Sequence, residues 1–157
     1  MNTTTLRAEE HQNAVIRQRE FQSFAQMASS GKLLLRVLIG ALVLLHGIAK
    51  LKSGVGPVMG MLTQQGLPGE LAYFVYVGEV VAPVMLIVGI WTRLAALIVA
   101  VNMTVAVALA HVPQLLQLND QGGWALELQA MFLFGALSVM MLGAGRYSAG
   151  GALGRWN

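Results

Sequence analysis

The sequence predicts an all-α integral membrane protein, a four-helix bundle that follows a polar N-terminal extension. Of its 157 residues, 56% are hydrophobic and 11% are charged, whereas soluble domains average about 25% charged residues. The apolar residues form four long blocks, each near the ~20 residues with which a helix crosses a bilayer. Because lipid offers no partner for backbone polar groups, these blocks should be α-helical.

The predicted helices cover residues 33–51, 71–90, 94–111 and 124–142, with glycine, proline and asparagine turn signals between them. The long connection 52–70 contains Val-Met-Gly-Met-Leu, which is too short to span. A re-entrant cap is favoured there over a plain loop, because three apolar side chains would otherwise face water. The predicted organisation is an extension over 1–32, a membrane domain over 33–148 and a tail over 149–157.

The N-terminal extension contains one amphipathic pattern, from Ala14 to Ala28. Phe21, Phe24 and Ala25 share a helical face with Ala28. Two interpretations stay open: a short helix on the membrane surface or on a partner, and a partly disordered tail.

Lysine and arginine placement predicts the orientation. With the N-terminus inside, eight of the ten basic residues lie on the inner side, and only Lys50 and Lys52 lie outside. This predicts an N-in, C-in multi-pass protein of the bacterial inner (cytoplasmic) membrane. Basic residues flank the apolar blocks instead of forming a patch with aromatics, so nucleic acid is not a predicted partner. The lipid bilayer is the predicted partner, and an oligomer is compatible with the sequence.

Polar residues inside the predicted helices fall mostly at one depth. At about 1.5 Å per residue, one or more from every helix lie in the outer half of the membrane: His46, Lys50, Glu79, His111 and Glu127. Charges at depth are costly unless they face the bundle and find partners. The sequence therefore predicts a shared polar network in this layer.

Glu79 and Pro83 form the most unusual part of that layer. Pro83 has no N–H, so α-helical spacing predicts a kink that leaves the carbonyl of Glu79 without a donor. Gly78 adds room, and Tyr76 could add a phenol. This would make an acceptor-rich site for a cation or a ligand hydroxyl. The alternative is a purely structural pair between Lys50 and Glu79.

Several motifs in order resemble the DoxX family of small four-helix membrane proteins, over residues 33–148. They are R-V-L-I-G-A-L-V-L-L-H-G-I-A-K-L, then V-G-E-V-V-A-P, G-I-W-T-R-L-A-A-L and G-A-G-R-Y-S. The matched polar positions are Arg36, His46, Lys50, Glu79, Arg93, Glu127 and Arg146. The family often continues Tyr-Ser-Leu-Asp, whereas here Ser148 is followed by Ala149.

The resemblance implies a role in membrane redox chemistry, since its relatives include a subunit of thiosulfate:quinone oxidoreductase and quinone-detoxification proteins. A quinone would bind His46, Lys50, Glu79 and His111, with Glu127 in the same layer. Tyr76, Met59 and Met61 would line that pocket, whereas Arg36, Arg93, Asn102 and Arg146 would have structural roles.

The chain has no cysteine and no nucleotide-binding loop, so the sequence favours a quinone-binding or anchoring subunit with a soluble or membrane redox partner. A non-catalytic scaffold or assembly factor is the alternative. Haem b on His46 and His111 is less favoured, and no metal site is predicted.

Overall fold

The computed structural model describes residues 3–151 and 154–157, with side chains described from Gln12 onward. This part of the chain is all-α and has no β-strand. The α-helices are α1 (Thr3–Ser53), α2 (Gly56–Gln64), α3 (Ala82–Val88), α4 (Thr92–Ala110) and α5 (Glu127–Leu142). Two 3-10 helices cover Gly69–Phe74 and Val112–Gln114, and a π-helical segment covers Val77–Val81.

Within the described part of the chain, three helical segments are long and apolar enough to cross a membrane. They are Gln12–Ser53, Gly69–Val88 and Thr92–Gln114. The fourth apolar block forms α5, which has 16 residues. It begins at Glu127 rather than at Trp124, because Trp124 is held in the preceding loop by a bridge to Leu118 and by its indole N–H, which donates to the carbonyl of Leu115 at 2.9 Å.

Helix α1 is a single helix of 51 residues, roughly 75 Å long at 1.5 Å per residue. The amphipathic stretch from Ala14 to Ala28 is therefore helical, but it is not a separate element. No glycine or proline break is strong enough to end the helix at the predicted boundary near Lys32. Gly31 is the one glycine there, and it stays within the helix.

The second apolar block, Gly69–Val88, is helical in three different ways along its length. A 3-10 turn is followed by the π-helical segment, in which the N–H of Ala82 donates to the carbonyl of Val77, five residues back. Regular α-helix resumes at Ala82, with Pro83 in its first turn, where a missing N–H is best tolerated. Gly89, with φ of 79°, ends α3.

The main core lies where α1 packs on α3 and α4 packs on α3 and α5. Its buried members on α4 and α5 are mostly small, and they allow the helices to approach closely: Ala95, Ala96, Val99, Ala100, Ala136 and Val139. A smaller cluster of Val55, Leu62 and Ala72 holds α2 against the second block. The connection that was expected to form a short cap or a loop is thus a short helix packed on the bundle.

Two glycines of α1 fix the distance to the second block. A Cβ at Gly40 would lie 2.9 Å from the carbonyl oxygen of Pro83, and a Cβ at Gly47 would lie 2.1 Å from that of Glu79. Both distances are shorter than a Cβ can tolerate against backbone. The carbonyl of Glu79, whose release the sequence predicted, therefore faces the backbone of α1.

We expect Gly47→Ala to force α1 away from the second block, because the obstructing atom is backbone and cannot rotate aside. Overpacking of this kind costs about 1–3 kcal/mol. Thermal unfolding in mild detergent measures the loss. Gly60→Ala is the matched control: a Cβ at Gly60 meets no atom within 4 Å, so this variant should keep or slightly raise the stability. Equal stability of the two variants would contradict the close contact.

Candidate functional site

The centre of the site is an ion pair between α1 and the π-helical segment, which we call the Lys50–Glu79 pair. The ammonium nitrogen of Lys50 lies 2.8 Å from Oε1 and 2.6 Å from Oε2 of Glu79. The carboxylate is almost fully buried, with 5% of the Glu79 side chain exposed against 29% for Lys50. Glu79 is therefore a buried charge neutralised by a partner that still reaches the surface.

Asn102 on α4 joins this pair from a third helix. Its side-chain amide donates to Oε1 of Glu79 at 3.4 Å. A Cβ at Gly78 would lie 2.4 Å from Cγ of Asn102, so the glycine leaves the space that the amide occupies. The sequence had assigned Asn102 a structural role at mid-depth. The structure places it in the first layer of groups around Glu79.

Tyr76 supports Lys50 without touching its charge. The phenol donates to the backbone carbonyl of Lys50 at 3.3 Å, close to the end of α1. This contact orients the last turn of α1 relative to the second block. Tyr76 is thus a positioning residue and does not line the cavity described next.

A cavity of about 740 Å³ adjoins the Lys50–Glu79 pair, between the second block, α2 and α4. Its walls are almost entirely apolar and include Met61, Leu62, Leu71, Val75, Val101, Val105 and Leu109. Lys50, Glu79 and Asn102 supply polar groups part-way along it, because Leu97 and Ile98 line it beyond Asn102. His111, just after the end of α4, lies nine residues on from Asn102, roughly 14 Å away. The cavity is an elongated apolar slot with one polar group part-way along it and a histidine at its far end. Met59, expected as a lining residue, is not part of it.

His46 does not join this cluster. It is exposed, and its ring packs edge-on against Phe132 of α5 at a centroid distance of 5.7 Å. It is not among the residues that line the cavity. Four residues along a helix give a 40° offset, which here directs Lys50 to the second block and His46 to the α5 side.

His111 lies in a different hydrogen-bonded group, at the far end of the cavity. Its Nδ1 is 2.9 Å from the side-chain oxygen of Gln114, and its Nε2 is 3.3 Å from the side-chain nitrogen of Gln129. The side-chain oxygen of Gln129 is buried and has no partner among the described residues. The two glutamines were not singled out in the sequence, because neutral amides at helix ends carry no motif.

Glu127 lies outside both groups. It is exposed at the start of α5, where Asn119 is 3.5 Å from its Oε1. The carboxylate also lies beside Gly123, in the loop that precedes α5. The structure therefore associates Glu127 with this loop and with the start of its own helix, where negative charge is favourable. Of the five residues predicted to share one network, only Lys50 and Glu79 are in contact.

Arg36 forms a second buried cluster at the other end of the bundle. One guanidinium nitrogen donates to the carbonyls of Leu86 and Ile87 at 2.6 and 2.7 Å, and the other donates to the carbonyl of Tyr147. Arg36 is 2% exposed. Its planar fork thus caps the free carbonyls at the end of α3 and ties the C-terminal segment to α1.

The C-terminal segment, predicted only as a tail, is packed on the start of α4. Asn157 is buried, and its side-chain oxygen accepts from the N–H and the hydroxyl of Thr92 at 3.1 and 2.8 Å. The exposed side chain of Arg93 lies beside Gly143. The backbone N–H of Arg93 donates to the carbonyl of Trp156 at 2.9 Å. Asn157 was missed because a lone asparagine near a chain end gives no sequence signal.

Arg146 lines a smaller polar cavity of about 310 Å³ against the extended part of α1. The other lining residues are Gln22, Ala25, Gln26 and Ser29. Among the residues that the structure describes, no three histidine, aspartate or glutamate side chains come together as a metal site would require.

The apolar helical segments and the buried ion pair that links two of them define the class: an integral membrane protein built from packed helices. A family model described as DoxX matches residues 31–112, more than half of the chain. The chain belongs to the DoxX family, which confirms the resemblance stated above. No curated protein and no solved structure matches the chain in such comparisons. The matched stretch includes Arg36, His46, Lys50, Glu79 and Arg93, whereas Glu127 and Arg146 lie beyond it.

We expect Lys50→Met to destabilise the protein by about 3 kcal/mol, because it leaves the Glu79 carboxylate buried without its counter-charge. The double variant Lys50→Met, Glu79→Leu should recover most of that loss, since no uncompensated charge remains. Unfolding in detergent measures both. Lys52→Met, which changes an exposed lysine of the same helix, should stay within about 0.5 kcal/mol of wild type. Additive effects of the two substitutions would contradict the pair.

We expect Arg36→Lys to loosen the C-terminal segment although it keeps the charge, because an ammonium group cannot reach three carbonyls in the plane of a guanidinium fork. Losing one charged hydrogen bond should cost about 1.5–3 kcal/mol. Hydrogen exchange should speed up at the amides of Ala149 and Gly150, which bond to the end of α3. Arg155→Lys is the surface control, and unchanged exchange in Arg36→Lys would refute the role assigned to the fork.

Proposed function

We propose that this DoxX protein is a quinone-binding or anchoring subunit of a membrane redox system, and that the quinone occupies the 740 Å³ cavity. The observation that carries the proposal is the combination of an apolar slot with a small group of hydrogen-bond donors in its wall. Small-molecule sites typically have 300–1,000 Å³, mostly apolar walls and a few polar groups that fix orientation. A quinone has the matching form: a ring with two carbonyl acceptors and an apolar tail.

Lys50 and Asn102 are the donors that suit a quinone carbonyl. An ammonium group has three N–H donors, and the two contacts to Glu79 leave one for a ligand. Asn102 contributes an amide from the opposite wall. Glu79, held between them, is positioned to exchange a proton with a hydroquinone hydroxyl. His111 would meet the other end of a bound molecule.

We further propose the topology in which this site works: four spanning helices, N-in and C-in, in the bacterial cytoplasmic membrane. The distribution of lysine and arginine supports it. Helix α5 would serve as the fourth span, with Trp124 at the membrane boundary just before it. The Lys50–Glu79 pair then lies in the outer half, and the extension 1–32 and the tail 149–157 lie on the inner side.

A binding or anchoring role fits the chain better than a complete oxidoreductase. The sequence contains no cysteine, so iron–sulfur ligation by thiolates and covalent haem attachment are excluded for this chain itself. Electron transfer would then depend on a soluble or membrane partner. The chain would contribute the quinone site and the attachment to the membrane.

The proposal is tested by quinone binding to the purified protein in nanodiscs, with ubiquinone and menaquinone analogues as probes. We expect Ala106→Phe to abolish binding, because Ala106 lines the cavity between Asn102 and His111 and a phenyl ring there would obstruct the slot. Glu79→Gln should weaken binding at least tenfold. His46→Ala should bind as wild type does, since His46 does not line the cavity.

Ala108→Phe is the matched control for the blocking variant. Ala108 is an exposed residue of the same helix and does not line the cavity, so the same gain in volume there should leave quinone binding intact. Binding that survives Ala106→Phe, or that is lost equally in both variants, would refute this site. The thermal stability of each variant distinguishes a blocked site from a misfolded protein.

One observation favours a second candidate function, a non-catalytic scaffold or assembly factor. The Lys50–Glu79 pair satisfies itself, as a purely structural lock between two helices would. Purification in mild detergent followed by mass spectrometry of bound lipids and proteins separates the two functions. Retained quinone supports the first, whereas a stoichiometric protein partner that is lost on deleting residues 1–30, without quinone, supports the second.

A further inference from the structure

We propose that α1 is the interface between two copies of this chain, which pair in parallel along an exposed apolar stripe. We call this stripe the α1 seam. Its residues alternate three and four apart, which is the heptad spacing of a two-stranded coiled coil. They are Phe24, Met27, Gly31, Leu34, Leu38, Ala41, Leu45 and Ile48, and all are exposed.

The bundle of a single chain uses the opposite face of the same helix. Arg36, Gly40, Val43 and Gly47 are all buried and face the second block and its neighbours. The seam therefore points away from the bundle along its whole length. No other described element packs against the seam to cover it.

Lipid can cover only part of this seam. A span of ~20 residues that ends near Ser53 leaves α1 at about Leu33. Met27 and Phe24 then lie roughly 9 and 14 Å beyond that boundary, yet they are 68% and 71% exposed. Lone helices are marginal in water, and most of their stability comes from packing an apolar face. Packing against a protein surface would remove this apolar area from water and stabilise this part of α1.

A second α1 fits the seam better than a different partner does. The heptad spacing of the seam continues without a break from the membrane-spanning part of α1 into the part that lies in water. The partner therefore needs a helix that crosses the same boundary in register. Both copies enter the membrane with the same orientation, which makes the pair parallel. Gly31 and Ala41 are small enough to let two such helices approach closely.

Charge complementarity extends the seam toward the N-terminus. Arg17 and Glu20 occupy its next two positions, one heptad before Phe24 and Met27. In a parallel pair, adjacent seam positions of the two helices are neighbours. Arg17 of one copy thus lies beside Glu20 of the other, twice by symmetry, and this attraction offsets the like charges that face each other at these two positions. The seam ends in a reciprocal pair of opposite charges.

The full chain contains no cysteine, so single cysteines test the seam directly in native membranes. We expect Phe24→Cys, Met27→Cys and Leu34→Cys to form covalent dimers on mild oxidation, because identical seam positions face each other in a parallel pair. Gln22→Cys and Ser29→Cys lie on the other face and should form at least several-fold less dimer. Denaturing gels measure the yield.

A second measurement addresses assembly without a cross-link. Met27→Glu places two like charges opposite each other and should shift the particle mass in detergent from dimer to monomer. Gln18→Glu adds the same charge off the seam and should leave the dimer intact. Equal cross-linking at all five positions, an adduct with a different protein, or a wild-type monomer would each overturn the proposal.

Discussion

The structure depends on one constraint, which is the burial of the Glu79 carboxylate inside an apolar bundle. An unpaired charge there would cost several kcal/mol, so Lys50 must reach it from α1 and Asn102 must reach it from α4. Both contacts require closely spaced backbones. Gly47 brings α1 against the carbonyl of Glu79, and Gly78 leaves the space that Asn102 fills. The glycines and the charged pair together make it possible to bury this carboxylate.

The π-helical segment is part of the same arrangement around Glu79. Such segments are rare and occur often at functional sites. Here the segment holds Glu79 and ends just before Pro83, where regular α-helix resumes. Arg36 solves a related problem at the other end of α3, where its guanidinium satisfies carbonyls that the helix itself leaves open. The two buried clusters fix both ends of the contact between α1 and the second block, while the cavity lies on the other side of Glu79.

Much of the fold and part of the candidate site could be predicted from the sequence. Long apolar blocks determine helices by their length, and the Lys50–Glu79 pair was foreseen as the structural alternative. Position along a helix was predictable, whereas direction around the helix axis was not. His46 lies about one turn from Lys50 on the same helix yet packs on α5. Glu127 begins α5 and lies next to the preceding loop, through Asn119, a contact that no periodicity reveals. Helix α1 passes through the expected boundary near Lys32, because nothing local ends it.

The Lys50–Glu79 pair is compatible with both a structural role and a ligand-binding role. Lys50 holds α1 against the second block and also lines the cavity. A ligand that accepts a hydrogen bond from Lys50 therefore acts on the contact between these helices as well as filling the slot. Since α1 also carries the exposed seam, occupancy of the cavity and pairing of two chains would act on the same helix. The buried carboxylate is thus the point at which ligand binding would bear on assembly.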